Sequence, residues 1–213
     1  MESKKMGLKY LALGDSYTLG EGVTEGEGFP EQLESKLNKM GIPISMEHRV
    51  AETGWTTGQF IQAMSEKSWF HGETFDLITL LLGVNNQYRG DDPKTYEREF
   101  SLISEKCLEM AGGQSKRVYV LSIPDWGVTP YAASKGINVK ENAKVIDSFN
   151  AINRMVSAKR GFNYVEITAQ YREIGGREDF LSLDLLHPNA SIYSLWAEEI
   201  SSMAIRQHKH LSL

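Results

Sequence analysis

The sequence is poor in cysteine, and it lacks long apolar runs and long runs of charge of one sign. Cys107 is the only cysteine, so no internal disulfide can form, which favours a reducing compartment. No apolar segment is long enough for the core of a signal peptide or for a membrane span. We therefore expect a cytoplasmic protein, unless a signal peptide was removed. The net charge of -5 and the scattered basic residues argue against nucleic acid as a partner.

The composition that remains is that of an ordinary globular protein. The chain has 213 residues, of which 41% are hydrophobic and 24% are charged. This length suits one domain spanning residues 1–213 better than two, and the apolar side chains suffice for one sizeable core. The composition argues against extensive disorder, and no repeat or linker-like segment divides the chain.

Short strand-like runs alternate with longer helical ones along the chain. The predicted strands are Leu8–Leu13, Ile44–Ala51, Asp76–Gly83, Val118–Ile123 and Asn163–Ile167. The main predicted helices are Phe29–Met40, Thr56–Met64, a helix capped by Asp92, Asn138–Lys159 and Asn189–Arg206. The longest of them is expected to turn an apolar stripe inward, formed by Val145, Ile146, Phe149, Ile152 and Val156. Trp69–His71 are interpreted as an apolar anchor at a helix end. The alternation predicts an α/β fold with a parallel sheet.

Polar residues follow several of these predicted strands, at the edge where α/β proteins place their functional sites. Ser16 comes directly after the first strand, Gly54 follows the second, and Asn85 follows the third. Well after the fifth strand come Asp184 and His187. Together these residues supply a hydroxyl nucleophile, N–H donors, a side-chain amide, a carboxylate and an imidazole.

Those are the groups that acyl transfer requires. A serine hydroxyl needs an imidazole to accept its proton, and a carboxylate orients that imidazole. Pre-placed N–H donors stabilise the oxyanion of the tetrahedral intermediate. The sequence therefore predicts Ser16 as nucleophile, His187 as base and Asp184 as its support. The expected oxyanion donors are the N–H groups of Ser16 and Gly54 and the amide of Asn85. Each residue alone has a plainer interpretation as a turn or helix-cap residue, so the prediction depends on their joint occurrence.

The same segments resemble the motif blocks of the SGNH hydrolases, the GDSL-type esterases and lipases. Leu13–Thr18 resembles the first block and carries its serine, and Gly54 resembles the glycine of the second. Gly83–Asn86 resembles the third block, and Asp184–Pro188 matches the last. The resemblance spans residues 11–190, nearly the whole chain, and the four blocks are specific as a set.

Two positions depart from that pattern. Tyr17 stands where the family name expects leucine, a packing position, so the nucleophile is retained. Asn86 stands where the third block usually has aspartate. We expect the hydrogen bonds of that loop to differ while the oxyanion donor Asn85 is kept. Asp15 is assigned to holding the turn before the nucleophile.

The resemblance implies a flavodoxin-like fold, with a five-stranded parallel sheet in the order 2-1-3-4-5, helices on both faces, and no metal or organic cofactor. It implies a serine esterase that acts through an acyl-enzyme intermediate. Small soluble acyl or acetyl esters are favoured, because the sequence shows no apolar lid. An acyltransferase, lysophospholipase or thioesterase on the same residues is the alternative, and a module that only binds an anion at a helix N-terminus ranks below these.

Three aromatic residues are candidate walls of the substrate pocket. Trp55 lies beside Gly54, and Trp126 and Tyr131 lie in the long loop after the fourth strand. Loops that follow strands commonly line ligand sites. Packing of these rings onto the sheet is the alternative interpretation.

Overall fold

The computed structural model describes residues 7–66 and 72–211, with side chains described as far as Gln207, so the predicted anchor Trp69–His71 lies outside the described residues. Its five strands form a parallel sheet in the order β2-β1-β3-β4-β5. The strands are β1 (Leu8–Gly14), β2 (Ile44–Ala51), β3 (Leu77–Leu81), β4 (Val118–Leu121) and β5 (Asn163–Val165). The predicted α/β class and strand order are confirmed.

Helices cover the sheet in two groups. The α-helices of the described residues are α1 (Ser16–Leu19), α2 (Phe29–Lys39), α3 (Thr57–Glu66), α4 (Val84–Arg89), α5 (Pro93–Met110), α6 (Pro130–Ser134), α7 (Val139–Arg160), α8 (Thr168–Ile174) and α9 (Ala190–Leu211). Helix α2 packs against α9, while α5 packs against α3 and α7. In the part of the chain that the structure describes, no helix combines the length and apolar character needed to cross a membrane.

The central strands are buried because their side chains are apolar on both faces. Every residue of β3 and of β4 is buried, and so are the last five residues of β1. The outer strand β2 is mostly exposed or half-buried. This is the pattern that near-continuous apolar runs predict for strands covered on both faces by helices.

Helix α7 differs from its prediction on one face. Ile146 and Phe149 are buried as expected, but Val145 is 42% exposed, so its place in the buried stripe was wrong. Part of the buried face is polar, formed by Asn142, Asn150, Asn153 and Ser157. Asn150 accepts a hydrogen bond from the N–H of Ile123 at 2.8 Å and donates one to its carbonyl at 3.1 Å. Asparagine is thus buried here because it completes the backbone hydrogen bonds beyond β4.

Three strands end at the same level, which places the loops that follow them side by side. Gly14, the last residue of β1, is paired with Ala51 of β2 and with Leu81 of β3. No side chain fits at this position, because a Cβ would lie 2.1 Å from Thr18 Oγ1 and 2.3 Å from the Leu81 carbonyl oxygen. The first three predicted blocks therefore emerge together at the carboxyl edge of the sheet.

Candidate active site

Ser16 begins helix α1 immediately after β1. Asp15 caps this helix, since its Oδ1 accepts a hydrogen bond from the N–H of Tyr17 at 3.1 Å. Ser16 is 5% exposed. The end of β1 and the capped turn of α1 together fix where the hydroxyl points.

A row of hydrogen bonds joins Ser16, His187 and Asp184. His187 Nε2 lies 3.0 Å from Ser16 Oγ, although the two residues are 171 positions apart. On the other side of the ring, Nδ1 lies 2.5 Å from Asp184 Oδ2. With Nδ1–H donating to the carboxylate, Nε2 has a lone pair that can accept the hydroxyl proton. The structure thus brings together the three residues that the sequence predicted as nucleophile, base and support.

The loop of residues 181–188 holds the acid and the base together. Leu181 and Pro188 form an isolated antiparallel bridge at its base, and the N–H of Ser182 donates to the carbonyl of His187 at 2.8 Å. Leu185 has a φ of 58°, a left-handed conformation that non-glycine residues adopt at a cost. This turn folds the loop back so that Asp184 faces the imidazole.

The Asp184 carboxylate is held in its ionised form. Partial burial by itself raises its pKa, but hydrogen bonds, first of all from the His187 imidazole, outweigh burial and lower the pKa from 3.8 to about 2. Its Oδ1 accepts hydrogen bonds from Ser182 Oγ at 2.7 Å and from the N–H groups of Leu186 and His187 at 2.9 Å. An ionised carboxylate next to Nδ1 stabilises the imidazolium that forms when the base takes a proton.

The expected oxyanion donors lie around the nucleophile. The Asn85 amide nitrogen donates to the Trp55 carbonyl at 3.1 Å and to Asp15 Oδ2 at 3.4 Å. It therefore lies between the residue after Gly54 and the residue before Ser16. Gly54 has a φ of 82°, which favours glycine. Neither the Gly54 N–H nor the Ser16 N–H donates to a protein acceptor within the described residues. To bind an oxyanion, Asn85 has to exchange one of its bonds, and the longer one to Asp15 is the weaker.

The family of the chain follows from a comparison with protein-family models. Residues 12–195 match the model of the GDSL-like lipase/acylhydrolase family. The chain belongs to this family. It is a serine hydrolase that acts on ester bonds, as the resemblance implied.

Solved structures share this fold at low sequence identity. The lipase Lip_vut3 from a goat rumen metagenome has a TM-score of 0.74 and 21% identity, over 92% of this chain and 97% of that one. AlinE4, an esterase of the SGNH-hydrolase family, has a TM-score of 0.64 and 22% identity, over 98% and 99%. The psychrotrophic esterase EstA from Pseudoalteromonas sp. has a TM-score of 0.68 and 16% identity, over 94% and 98%. These likenesses establish the fold. No curated protein matches the chain in sequence.

The departure from the GDSL pattern at Asn86 is compensated by neighbouring residues. Asn86 Oδ1 accepts from the N–H of Thr57 at 3.0 Å, and its Nδ2 donates to Thr57 Oγ1 at 2.8 Å and to Asp91 Oδ2 at 3.0 Å. The Thr57 hydroxyl in turn donates to Glu99 at 2.6 Å. Asn86 lies in α4 and not in a loop as expected, and its amide makes hydrogen bonds that an ionised aspartate could not donate. Asp91 supplies a carboxylate five positions along the chain.

Asp15 has a second contact that the sequence reasoning missed. Besides the N–H of Tyr17, its carboxylate meets the amide of Asn85. Asp15 is fully buried, and burial raises its pKa from 3.8 to about 7. No sequence signal connects positions 15 and 85, because the contact depends on the alignment of β1 with β3.

Two of the predicted pocket residues lie near the site as partly buried rings. The Trp55 carbonyl is the acceptor for the Asn85 amide, and its ring packs edge-on against Phe60 with centroids 5.6 Å apart. The N–H of Tyr131 donates to the Leu185 carbonyl at 3.2 Å, which places α6 beside the loop of residues 181–188.

The third predicted pocket residue, Trp126, lies beneath another ring. Trp126 is 4% exposed, and its indole N–H donates to Gln87 at 2.7 Å. Tyr88 packs edge-on against it, with centroids 5.1 Å apart, and is 55% exposed. The sequence reasoning missed Tyr88, although its spacing of three residues from Asn85 on α4 could have indicated a shared helix face.

The described residues were also searched for metal ligands. Within positions 7–66 and 72–211, no group of three or more His, Cys, Asp or Glu side chains is placed to hold a metal ion. Asp184 and His187 are instead paired with each other.

Proposed function

We propose that this protein is a serine esterase that hydrolyses small soluble acyl or acetyl esters through an acyl-enzyme intermediate. The observation that carries the proposal is the hydrogen-bonded row of Asp184, His187 and Ser16, with successive distances of 2.5 and 3.0 Å. A carboxylate, an imidazole and a serine in this order constitute the arrangement that activates a hydroxyl for attack on a carbonyl.

Acylation begins when Ser16 Oγ attacks the carbonyl carbon of the ester. The hydroxyl proton passes to His187 Nε2, and Asp184 stabilises the imidazolium through Nδ1. The carbonyl oxygen becomes an oxyanion, which accepts hydrogen bonds from the N–H groups of Ser16 and Gly54 and from the side-chain amide of Asn85. Asn85 gives up its hydrogen bond to Asp15 to make this contact. The intermediate collapses as the carbon–oxygen bond to the alcohol breaks, and the alcohol leaves with the proton from His187.

Deacylation repeats these steps with water as the nucleophile. His187 accepts a proton from water as its oxygen attacks the acyl carbon, and Ser16 leaves with that proton while the free acid departs. The Asp184 side chain is 40% exposed, and Leu183 beside it is fully exposed. The acid side of the pair thus faces solvent, while His187 itself is 7% exposed, and water is the acceptor that the proposal assigns to the second step.

The packing of Trp126, one of the predicted pocket residues, favours short acyl groups. Trp126 is 4% exposed and packs edge-on against Tyr88, so its ring is not available to line an open apolar channel. A long acyl chain needs an apolar channel to bury its methylene groups, each worth about 0.8 kcal/mol. Trp126 is instead packed edge-on against Tyr88, which supports short acyl groups as substrates.

Two measurements test the proposal. Hydrolysis of p-nitrophenyl esters from acetate upward is expected to be fastest for the shortest acyl groups. A fluorophosphonate probe is expected to label Ser16, and Ser16→Ala is expected to abolish both labelling and hydrolysis. Ser122→Ala is the matched control, because Ser122 also follows a strand but hydrogen-bonds Glu166 and Thr168.

Labelling of Ser16→Ala at the wild-type level would contradict the nucleophile assignment. A preference for long-chain esters would contradict the substrate class alone. Product analysis in the presence of added alcohols tests the acceptor, since hydrolysis requires the free acid as the main product.

A further inference from the structure

Tyr17, the residue after the nucleophile, contacts the base. The centroids of the Tyr17 and His187 rings are 5.1 Å apart, and their planes are inclined by 55°. Tyr17 is 2% exposed and His187 is 7% exposed, so the contact is shielded from water. The position that departs from leucine in the GDSL pattern therefore places an aromatic ring against the imidazole.

Tyr17 also belongs to a cluster of buried aromatic rings. Trp196 of α9 is fully buried, and its ring centroid lies 6.1 Å from that of Tyr17. Trp196 is fixed in turn by Phe29 of α2 and Tyr171 of α8, and by Tyr193 of its own helix. Because this aromatic cluster is packed on all sides, the Tyr17 ring has little room to rotate away from His187.

The hydrogen bonds of His187 only weakly oppose rotation of the imidazole plane. Both bonds lie at the edge of the ring, one at Nδ1 and one at Nε2. These bonds prevent the ring from moving along the line that joins Asp184 to Ser16. They hold the ring much less firmly against rotation about that line. The bond to Ser16 is also broken and remade in every turnover. A contact with the ring itself is what limits this rotation, and Tyr17 supplies one.

We propose that Tyr17 is a positioning residue that fixes the plane of the His187 imidazole relative to Ser16. Tyr17 and Ser16 are consecutive in α1, so one helical turn sets both the nucleophile and the surface against which the base packs. The base itself comes from the loop of residues 181–188, which is neither helix nor strand. This inference rests on the proposed function only in taking His187 as the base.

The first test separates positioning from packing by kinetics. Tyr17→Leu is expected to lower kcat about tenfold or more with KM nearly unchanged, because small displacements of reacting groups cost up to about 100-fold in rate. Tyr17→Phe keeps the ring and is expected to recover most of the loss. Tyr193→Leu is the matched control: Tyr193 is fully buried and its ring lies 5.3 Å from that of Trp196. It removes a ring of the same cluster and is expected to reduce thermal stability without the selective fall in kcat.

The second test does not require activity. The proton shared between His187 Nδ1 and Asp184 is expected to give a sharp far-downfield proton NMR resonance in the wild type and in Tyr193→Leu. Tyr17→Leu is expected to broaden or remove it, since the imidazole then rocks. If Tyr17→Leu does not fold, Tyr17→Met takes its place.

The outcomes distinguish the two hypotheses. An unchanged resonance together with a kcat equal to that of Tyr193→Leu would overturn the role of Tyr17. A protein without ester hydrolysis in which Tyr17→Leu still alters the resonance would refute the proposed function and support the positioning role.

Discussion

The buried carboxyl of Asp15 gives the chain a pH dependence of stability that one substitution removes. Burial raises the pKa of Asp15 from 3.8 to about 7, against the effect of the hydrogen bond from the N–H of Tyr17. Asp15→Asn puts a neutral group of nearly the same shape in this place. The perturbation therefore removes one titration and leaves most of the packing intact.

The magnitude follows from the two pKa values. Between about pH 4 and pH 7 the unfolded chain has lost the Asp15 proton while the folded protein keeps it, so the free energy of unfolding falls as the pH rises. One proton gives a slope of about 1.4 kcal/mol per pH unit, and a pKa difference of about three units gives at most about 4 kcal/mol. This stability is fully present below about pH 4 and is lost as the pH rises through about 7. Asp184 does not mask the effect, because its pKa is lowered to about 2 and the stability it adds is lost only on acidification.

Urea denaturation of the wild type and of Asp15→Asn across about pH 4 to pH 8 measures the effect. Ionisable groups that both proteins share cancel in the difference. The variant is expected to gain stability relative to the wild type as the pH rises, with a plateau above about pH 7. The loss of the Asn85 contact adds a constant offset. A difference that is the same at every pH would refute the assignment of a raised pKa to Asp15.

Three further substitutions test the rest of the site. Asn85→Ala is expected to lower kcat by about 100- to 1000-fold with KM little changed, and a loss below tenfold in steady-state kinetics would exclude it as an oxyanion donor. Gly22→Ala introduces a Cβ 2.4 Å from Ser182 Oγ, at a backbone φ of 85°. This variant is expected to lose about 1–3 kcal/mol of stability in thermal denaturation and to lose activity in steady-state kinetics. Asn86→Asp brings a second carboxylate against Asp91 and is expected to lower the stability of the fold. Adding Asp91→Asn is expected to restore the stability, and purely additive effects in a double-mutant cycle would contradict this repulsion.

The elements that the sequence predicted well are those whose pattern is local. The apolar runs of β1, β3 and β4 gave the strands because both faces of each are covered. The predicted helix from Thr56 also has a local start signal, because Thr56 and Gln59 are three residues apart and form reciprocal hydrogen bonds at 3.1 and 3.3 Å. The order of the strands came from the family resemblance, since no local signal encodes which strands become neighbours.

The features that were missed depend on tertiary partners. Val145 fits an apolar stripe by spacing, yet the buried face of α7 carries asparagines such as Asn150, because open backbone groups after β4 need partners. Tyr88 packs edge-on against Trp126, a contact between two segments that no local spacing encodes. The distance from Ser16 to His187 likewise depends on how the start of α1 meets the loop of residues 181–188. The sequence could therefore predict the catalytic groups but not the distances between them.

The asparagine at position 86 shows that the hydrogen bonds a motif residue makes matter more than its identity. The N–H of Thr57 requires an acceptor, and Asn86 Oδ1 provides one as an aspartate oxygen would. The remaining bond reverses direction: the Asn86 amide donates to the Thr57 hydroxyl, which must then donate elsewhere, and Glu99 accepts it. The second amide hydrogen requires its own acceptor, and Asp91 provides it. Because every polar group in this chain of contacts has a partner, the start of α4 that carries Asn85 keeps its position with a neutral residue where a carboxylate is usual.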